Sequence, residues 1–212
     1  MIPVSVITHS LAGNCLGTLR SKETQIDDFR RTMDRLGVLL AVEATKGLSV
    51  EEGLVTTPLN VQAQCSYVND GRILLIPILR AGLGLLNSFL TLLPGAKVAH
   101  IGVSRHHETL EAIKYLDSVP TEAGDFDSVF LLDPMLATGN SSVASLKILA
   151  EKGYTQDRTT LVCAFSVIPG IEQVQREFPG VKIITAAIDP ELNEKSYIVP
   201  GLGDAGDRLY LL

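Results

Sequence analysis

Residues Val129–Ser141 read VFLLDPMLATGNS. Four apolar residues, an acid and a run of small residues leading into a helical pattern outline a buried strand, a turn and a helix start. In open α/β sheets, an acid at the carboxyl end of a strand stands where ligands bind. The loop Ala137–Ser141 would present the unpaired first N–H groups of a helix, whose dipole favours an anion, so one phosphate fits there. A plain strand-to-helix turn capped by Ser141 or Ser142 accounts for these thirteen residues equally well. No Lys follows Gly139, so the GxxxxGK[ST] signature of nucleoside triphosphatases is absent. The better mechanical match is a ribose 5-phosphate cradle, with the loop on the phosphate and Asp133 on the ribose hydroxyls.

The flanking sequence supports a layered α/β architecture. Strand-like runs fall at Ile73–Leu79, Val98–Val103, Val129–Leu132, Thr160–Ser166 and Lys182–Ala187, with helical stretches at Leu83–Leu93, Ser141–Lys152 and Ile171–Phe178. Continuous apolar strands alternating with helices predict a mostly parallel sheet covered on both faces. Upstream, Ile26, Phe29, Met33, Leu36 and Leu40 recur at helical spacing after a start near Thr24, giving an amphipathic helix that ends near Gly47. Residues 49–72 are weakly patterned and predict a hairpin or an irregular excursion. The long polar connection 104–128 leaves room for a second hairpin or a functional loop. From Ile188 onward the chain is rich in Gly, Pro and Asp, predicting a lobe over the sheet's carboxyl edge. We therefore expect one domain spanning 1–212, with a core of about 70–187 and an appended hood of about 188–212 joined by N-terminal elements.

Composition narrows the class. The chain has 212 residues, 46% hydrophobic and 20% charged, which suits a globular domain. A formal net charge of −6 argues against a general grip on nucleic acid. Cys15, Cys65 and Cys163 are widely spaced, with no CxxC pair, which predicts neither a disulfide framework nor a structural metal and suits a reducing, cytoplasmic setting. No secretory leader is expected from MIPVSVITHS. Ile73–Leu93 is long enough to span a bilayer, but Arg80 and Pro77 interrupt it, so no membrane span is expected.

Further candidate sites stand at the ends of the strand-like runs. Arg80 follows Ile73–Leu79 and precedes Ala-Gly-Leu-Gly, and Arg105 follows the next run; a guanidinium beside an N–H-rich turn suits a diphosphate. His106 and His107 lack partners at metal-ligand spacing and read as solvated loop residues. Gly201–Gly206, GLGDAG, satisfies GxGxxG literally, yet it follows Pro200 near the C-terminus, without the strand and second half of a dinucleotide-binding unit. Its small residues around Asp204 still indicate close backbone approach to a small or flat ligand.

Taken together, PILRAGLG (Pro77–Gly84), ETLE (Glu108–Glu111), DPMLATGNS (Asp133–Ser141), TAAIDPELNE (Thr185–Glu194) and YIVPGLGDAGDRL (Tyr197–Leu209) resemble the uracil phosphoribosyltransferases, with LLAVEAT (Leu39–Thr45) similar to the end of that family's first helix. The resemblance implies the type I phosphoribosyltransferase fold with a base-binding hood, and the reaction of uracil with 5-phosphoribosyl 1-diphosphate (PRPP) to give UMP and diphosphate, with Mg²⁺. It implies PRPP binding by Arg80, Arg105, Asp133, Pro134, Met135, Leu136, Ala137, Thr138, Gly139, Asn140, Ser141 and Asp204. Uracil is expected at backbone groups of Ile198, Gly203 and Ala205 beside Asp204. Asp133, Asp204 and Arg105 are the expected catalytic residues, and Asp204 faces the Mg²⁺, through water. A homodimer or homotetramer is expected on the same ground, and GTP is a candidate effector. The chain departs from the family in having Asn140 where a second loop glycine is usual, and His106 and His107 where acids are common. The competing readings are a regulator of this fold that responds to pyrimidine nucleotides, and a catalytically weakened relative.

Overall fold

The computed structural model describes residues 4–105 and 112–211. The strands are β1 (Ser5–Val6), β2 (Glu51–Thr56), β3 (Gln62–Tyr67), β4 (Ile73–Leu79), β5 (Lys97–Val98), β6 (Ile101–Arg105), β7 (Ala112–Asp117), β8 (Ser128–Leu132), β9 (Met135–Leu136), β10 (Thr159–Val167), β11 (Lys182–Asp189), β12 (Glu191–Leu192) and β13 (Ile198–Val199). The helices are α1 (Ser10–Arg20), α2 (Ile26–Thr45), α3 (Leu83–Leu92), α4 (Asn140–Glu151), α5 (Ile168–Glu177) and α6 (Ala205–Tyr210). The main sheet runs β1-β11-β10-β8-β4-β6-β7, with β5 alongside β4 and β9 alongside β10. Every pairing in it is parallel except β6 with β7.

The apolar runs are continuous because both faces of the sheet are covered. Ile73 and Leu75 of β4 enter one hydrophobic cluster, with Leu85 and Phe89 of α3 and Phe29, Met33 and Leu36 of α2. Leu74, Ile76 and Ile78 point the other way, into a second cluster with Leu146 of α4 and Val174 of α5. This alternation is the two-residue period of the pleat.

The connections explain where the cleft lies. The chain leaves β4 through α3 toward β6 on one side, and leaves the neighbouring β8 through α4 toward β10 on the other. The strand order therefore reverses between β4 and β8, and a crevice opens beyond their carboxyl ends.

Several elements differ from the sequence expectation. The run Val98–Val103 is two strands, both beside β4, because the chain turns at His100, whose N–H donates to Ser118 Oγ at 2.8 Å. By contrast, the hairpin allowed for at 49–72 is present as β2–β3, and the long connection supplies β7, antiparallel to β6, as also allowed for. Helix α1 was not expected; it buries Ala12, Cys15 and Leu19 at three- to four-residue spacing. Helix α2 begins after Gln25, and Thr24 instead donates its hydroxyl to Thr18 O at 2.6 Å. Among the described residues, no helix is long and apolar enough to cross a membrane; Ile73–Leu93 is split between β4 and α3.

Candidate active site

Arg80, Asp133 and the loop Ala137–Ser141 line one cleft of about 170 Å³ at the carboxyl ends of β4 and β8. Met135 and Val103 line it as well, with Ile78, Leu79, Ala81 and Ser142. Arg80 follows β4 directly, across a cis Leu79–Arg80 peptide, and is exposed to the cleft. The turn after it closes by Gly82 N–H donating to Ile78 O at 2.9 Å.

Asp133 is held at the cleft floor from two directions. Its main-chain N–H donates to Val162 O of β10 at 3.1 Å. Its carboxylate accepts from Met135 N–H and from Ser142 Oγ, each at 3.3 Å. Burial nonetheless dominates, pushing the carboxyl up to about 6 from 3.8, with those two hydrogen bonds pulling the other way. Cys163 lies close enough to feel this charge: burial and the Asp133 carboxylate push its thiol well up. A thiol in that environment is no nucleophile at neutral pH.

The loop Ala137–Ser141 is built on Gly139. Its φ of +83° is left-handed, and it serves as the N-cap residue of α4. A side chain there would also meet Gly170 O at 2.9 Å. Asn140 does not carry the left-handed conformation; it is the first residue of α4, with its N–H 3.5 Å from Thr138 Oγ1. The backbone at this position is helical, so an Asn there needs no left-handed conformation. Asn140→Gly is accordingly expected to change kcat/KM for PRPP by less than about threefold, a helix-propensity effect of under about 1 kcal/mol; steady-state kinetics check it.

The remaining expected residues are distributed as follows. Pro134 and Leu136 are buried and do not line the cleft; Pro134 O accepts from Ala164 and Phe165 N–H, and Leu136 sits in the second hydrophobic cluster. Arg105 is the last residue of β6, on the strand beside β4, and nothing is described of its side chain. His106, His107 and Glu108–Glu111 lie outside the described residues.

The hood residues do not line this cleft but connect to it through α6. β12 and β13 form a small antiparallel pair, with Ile198 opposite Leu192. Gly203 has φ +86°, and Asp204 is the N-cap of α6, accepting from Asp207 N–H at 2.9 Å. Farther along α6, Leu209 packs against Gly84 in the first turn of α3, and Arg30 Nε donates to Leu209 O at 2.7 Å. Tyr210 lies near Arg80, Arg30 and Asp34; burial is the main cause raising its hydroxyl pKa.

Two residues whose roles the sequence did not indicate complete the support. Gly170, in the first turn of α5, lies so close under the loop that an added Cβ would meet Ala137 O and come within 2.9 Å of Leu136 O. Asp189, at the end of β11, is 4% exposed and paired with Arg20 of α1.

A parallel sheet with a switch-point cleft, a glycine loop after an Asp, and a C-terminal hood is the architecture of the type I phosphoribosyltransferase fold. A family model described as "Uracil phosphoribosyltransferase" matches residues 6–211. The chain is 42% identical over 210 residues to a uracil phosphoribosyltransferase of Clostridium botulinum (strain Eklund 17B / Type B), covering 99% of each. A relative from another strain of that species, Hall, is 41% identical over the same length. Among solved structures, the AQ2163 protein from Aquifex aeolicus matches with a TM-score of 0.90 and 34% identity over 99% of both chains. A hypoxanthine-guanine phosphoribosyltransferase from Bacillus anthracis matches with a TM-score of 0.50 at 8% identity, over 77% of this chain and 80% of that one, a likeness of fold alone. The chain belongs to the uracil phosphoribosyltransferase family, and its activity is that of a pentosyltransferase in pyrimidine salvage.

Proposed function

We propose that the chain transfers the 5-phosphoribosyl group of PRPP to uracil in the cleft between β4 and β8, with residue roles as follows. The N-terminus of α4, entered through Gly139, holds the 5-phosphate on main-chain N–H groups and the helix dipole. Asp133 accepts hydrogen bonds from the ribose hydroxyls. Arg80 and Arg105 take the diphosphate. The main chain at Ile198, Gly203 and Ala205 reads the base. As the anomeric bond lengthens, positive charge grows on the ribose and negative charge on the diphosphate. The arginines stabilise the second, and the carboxylate of Asp133 opposes the first, so the chain acts by positioning and electrostatics. A hood that satisfies uracil's O4 and N3–H would leave cytosine's reversed pattern mispaired.

The donor set suits Mg²⁺ carried on the substrate. Among the described residues, no group of three or more His, Cys, Asp or Glu could hold a metal ion. Mg²⁺ keeps several waters and is commonly bound through one or two carboxylates plus substrate phosphates, so a protein-built cage is not needed. Asp204, with one oxygen on Asp207 N–H, has the other free to accept a metal-bound water. When bound, the ion supplies charge neutralisation on the leaving diphosphate.

The observation that carries this reading is the convergence of Arg80, Asp133 and the Gly139 loop on one cleft. Purified protein with uracil, PRPP and Mg²⁺ is expected to make UMP, and turnover of adenine or hypoxanthine in place of uracil would overturn the assigned base. The same assay with and without GTP tests that nucleotide as an effector.

We read residues 1–212 as one catalytic unit that works as a homodimer. The β2–β3 hairpin is a sheet of its own, and Val55, Ala63, Cys65 and Tyr67 share one of its faces, with Leu59 84% exposed at the tip. A two-stranded ribbon is marginal in water unless its apolar face is covered, and a second copy of the chain supplies that cover. The wild type is expected to sediment at twice 22.8 kDa, and a Val55→Asp/Leu59→Asp variant at 22.8 kDa, in analytical ultracentrifugation. Three cysteines without a disulfide support a cytoplasmic setting.

A further inference from the structure

The hood main chain is tied down from outside the cleft. Arg20, the last residue of α1, places Nη2 2.6 Å from Asp189 Oδ1 and Nη1 2.8 Å from Asp189 Oδ2, a two-pronged fork. The same Nη1 donates to Gly201 O at 3.0 Å, and Asp189 Oδ2 accepts from Gly201 N–H at 2.9 Å. Both polar groups of the Gly201 residue are therefore held by one ion pair. The Arg20 guanidinium carbon lies over the ring of the wholly buried Phe165, 4.7 Å from its centre. One residue on, Leu202 O accepts from Arg208 Nη1 at 3.0 Å; Arg208 also bonds Leu19 O and, at 2.7 Å, Ser21 O. The carbonyls of Gly201 and Leu202 are thus committed to arginines, immediately before Gly203.

We propose that Arg20 and Asp189 are positioning residues for base recognition: their ion pair, closed on Gly201, orients the peptide planes through which Gly203 and Ala205 meet uracil. This inference rests on the assignment of the base to the hood main chain. Two features favour it over a role in stability alone. The pair joins the N-terminal helix to the hood across 169 residues and closes on a main-chain segment, not on another side chain. Its acid is 4% exposed at the end of β11, on the path into the hood. Hydrogen bonds from the main chain tolerate little displacement, and misplacement of about 1 Å is costly.

The test is the steady-state kinetics of Asp189→Asn, Arg20→Met, Arg20→Lys and the Arg20→Met/Asp189→Asn double variant, with Gly203→Ala alongside. Asp189→Asn is isosteric and Arg20→Lys keeps the charge, so these two serve if Arg20→Met does not fold. The single variants are expected to raise KM for uracil about tenfold or more, with KM for PRPP within about twofold. Because the two residues act as one unit, the double variant should raise KM for uracil no further than the stronger single variant. Parallel rises in both KM values, a fall in kcat alone, or multiplying effects in the double variant would overturn the proposal. Gly203→Ala has open space for its Cβ and is disfavoured only by its φ of +86°, so it should fold and impair uracil. If it leaves uracil KM unchanged, the base-site assignment itself fails. If it raises that KM and the Arg20 and Asp189 variants do not, only the present inference fails.

Discussion

Asp133→Asn is expected to lower kcat/KM for PRPP by about 10²–10³-fold while raising the melting temperature of the free protein by several degrees. With Asp133 in its proposed place at the ribose, the activity loss follows from exchanging charge-assisted hydrogen bonds to the ribose hydroxyls, worth about 1.5–3 kcal/mol each, for neutral ones, and from losing the carboxylate that opposes charge on the ribose. The stability gain follows from the direction of the pKa shift. Burial raises the Asp133 carboxyl from 3.8 to about 6, so the folded state binds the proton more tightly than the unfolded chain. The associated stability is fully present below pH 3.8 and is lost as pH rises through about 6. At neutral pH the free enzyme therefore carries a penalty, about 1–3 kcal/mol once water in the cleft is allowed for. Asn carries no charge and can still accept from Met135 N–H, and the Ser142 hydroxyl can turn to accept from its amide. Each kcal/mol is worth about 2–4 °C in a domain of this size. Calorimetry of the two proteins at pH 8 and pH 5 checks it: the gain should shrink toward the lower pH. In the wild type, kcat/KM for PRPP should fall below about pH 6 as Asp133 takes up its proton. Equal melting temperatures at pH 8 would mean that Asp133 is better solvated than its surroundings indicate.

The parts of this site that could be read from the sequence are those whose signals are local. VFLLD announced a buried strand ending in an acid, because β8 is covered on both faces and leaves no room for polar alternation. Arg80 was legible for the same reason, standing where the apolar run of β4 stops. What the sequence hid falls into two kinds. The segment of helix α1 contains Gly13 and Gly17 and buries only three residues, too weak a stripe to stand out from a loop. The ties that hold the cleft and hood join residues far apart in the chain. Asp189 lies within a segment already recognised as characteristic, yet nothing near it points to Arg20, 169 positions away. Gly170 looks like an ordinary glycine after Pro169 at a helix start, and only the packing of α5 beneath the loop gives it a role. Asn140 is the instructive middle case: the substitution was visible, but whether it mattered depended on which loop residue carries the positive φ.

Gly170→Ala is expected to lower kcat/KM for PRPP about 10²-fold, although the residue touches no substrate. Its hypothetical Cβ would meet Ala137 O, approach Leu136 O to 2.9 Å and the Ala137 carbonyl carbon to 3.1 Å. All three are main-chain atoms of the segment leading into the phosphate loop, and neither side can yield by turning a rotamer. β9 is hydrogen-bonded to β10, with Met135 beside Phe165 and Leu136 beside Ser166, so the clash cannot be relieved by moving the strand into the sheet. Helix α5 is pinned in turn by Ile171 and Val174 in the second hydrophobic cluster. The displacement must therefore pass to Ala137–Gly139, the part proposed to present N–H groups to the 5-phosphate. A shift approaching 1 Å at an oriented phosphate is enough for the expected loss, and overpacking of this size costs about 1–3 kcal/mol of stability. The two effects separate experimentally. A loss of stability alone would scale the active fraction and leave KM values unchanged, whereas a displaced loop raises KM for PRPP at constant KM for uracil. Titration with ribose 5-phosphate, which presents the phosphate without the diphosphate, should show the same weakening. Normal ribose 5-phosphate affinity in a folded Gly170→Ala protein would place the phosphate elsewhere and remove Gly139 from its role.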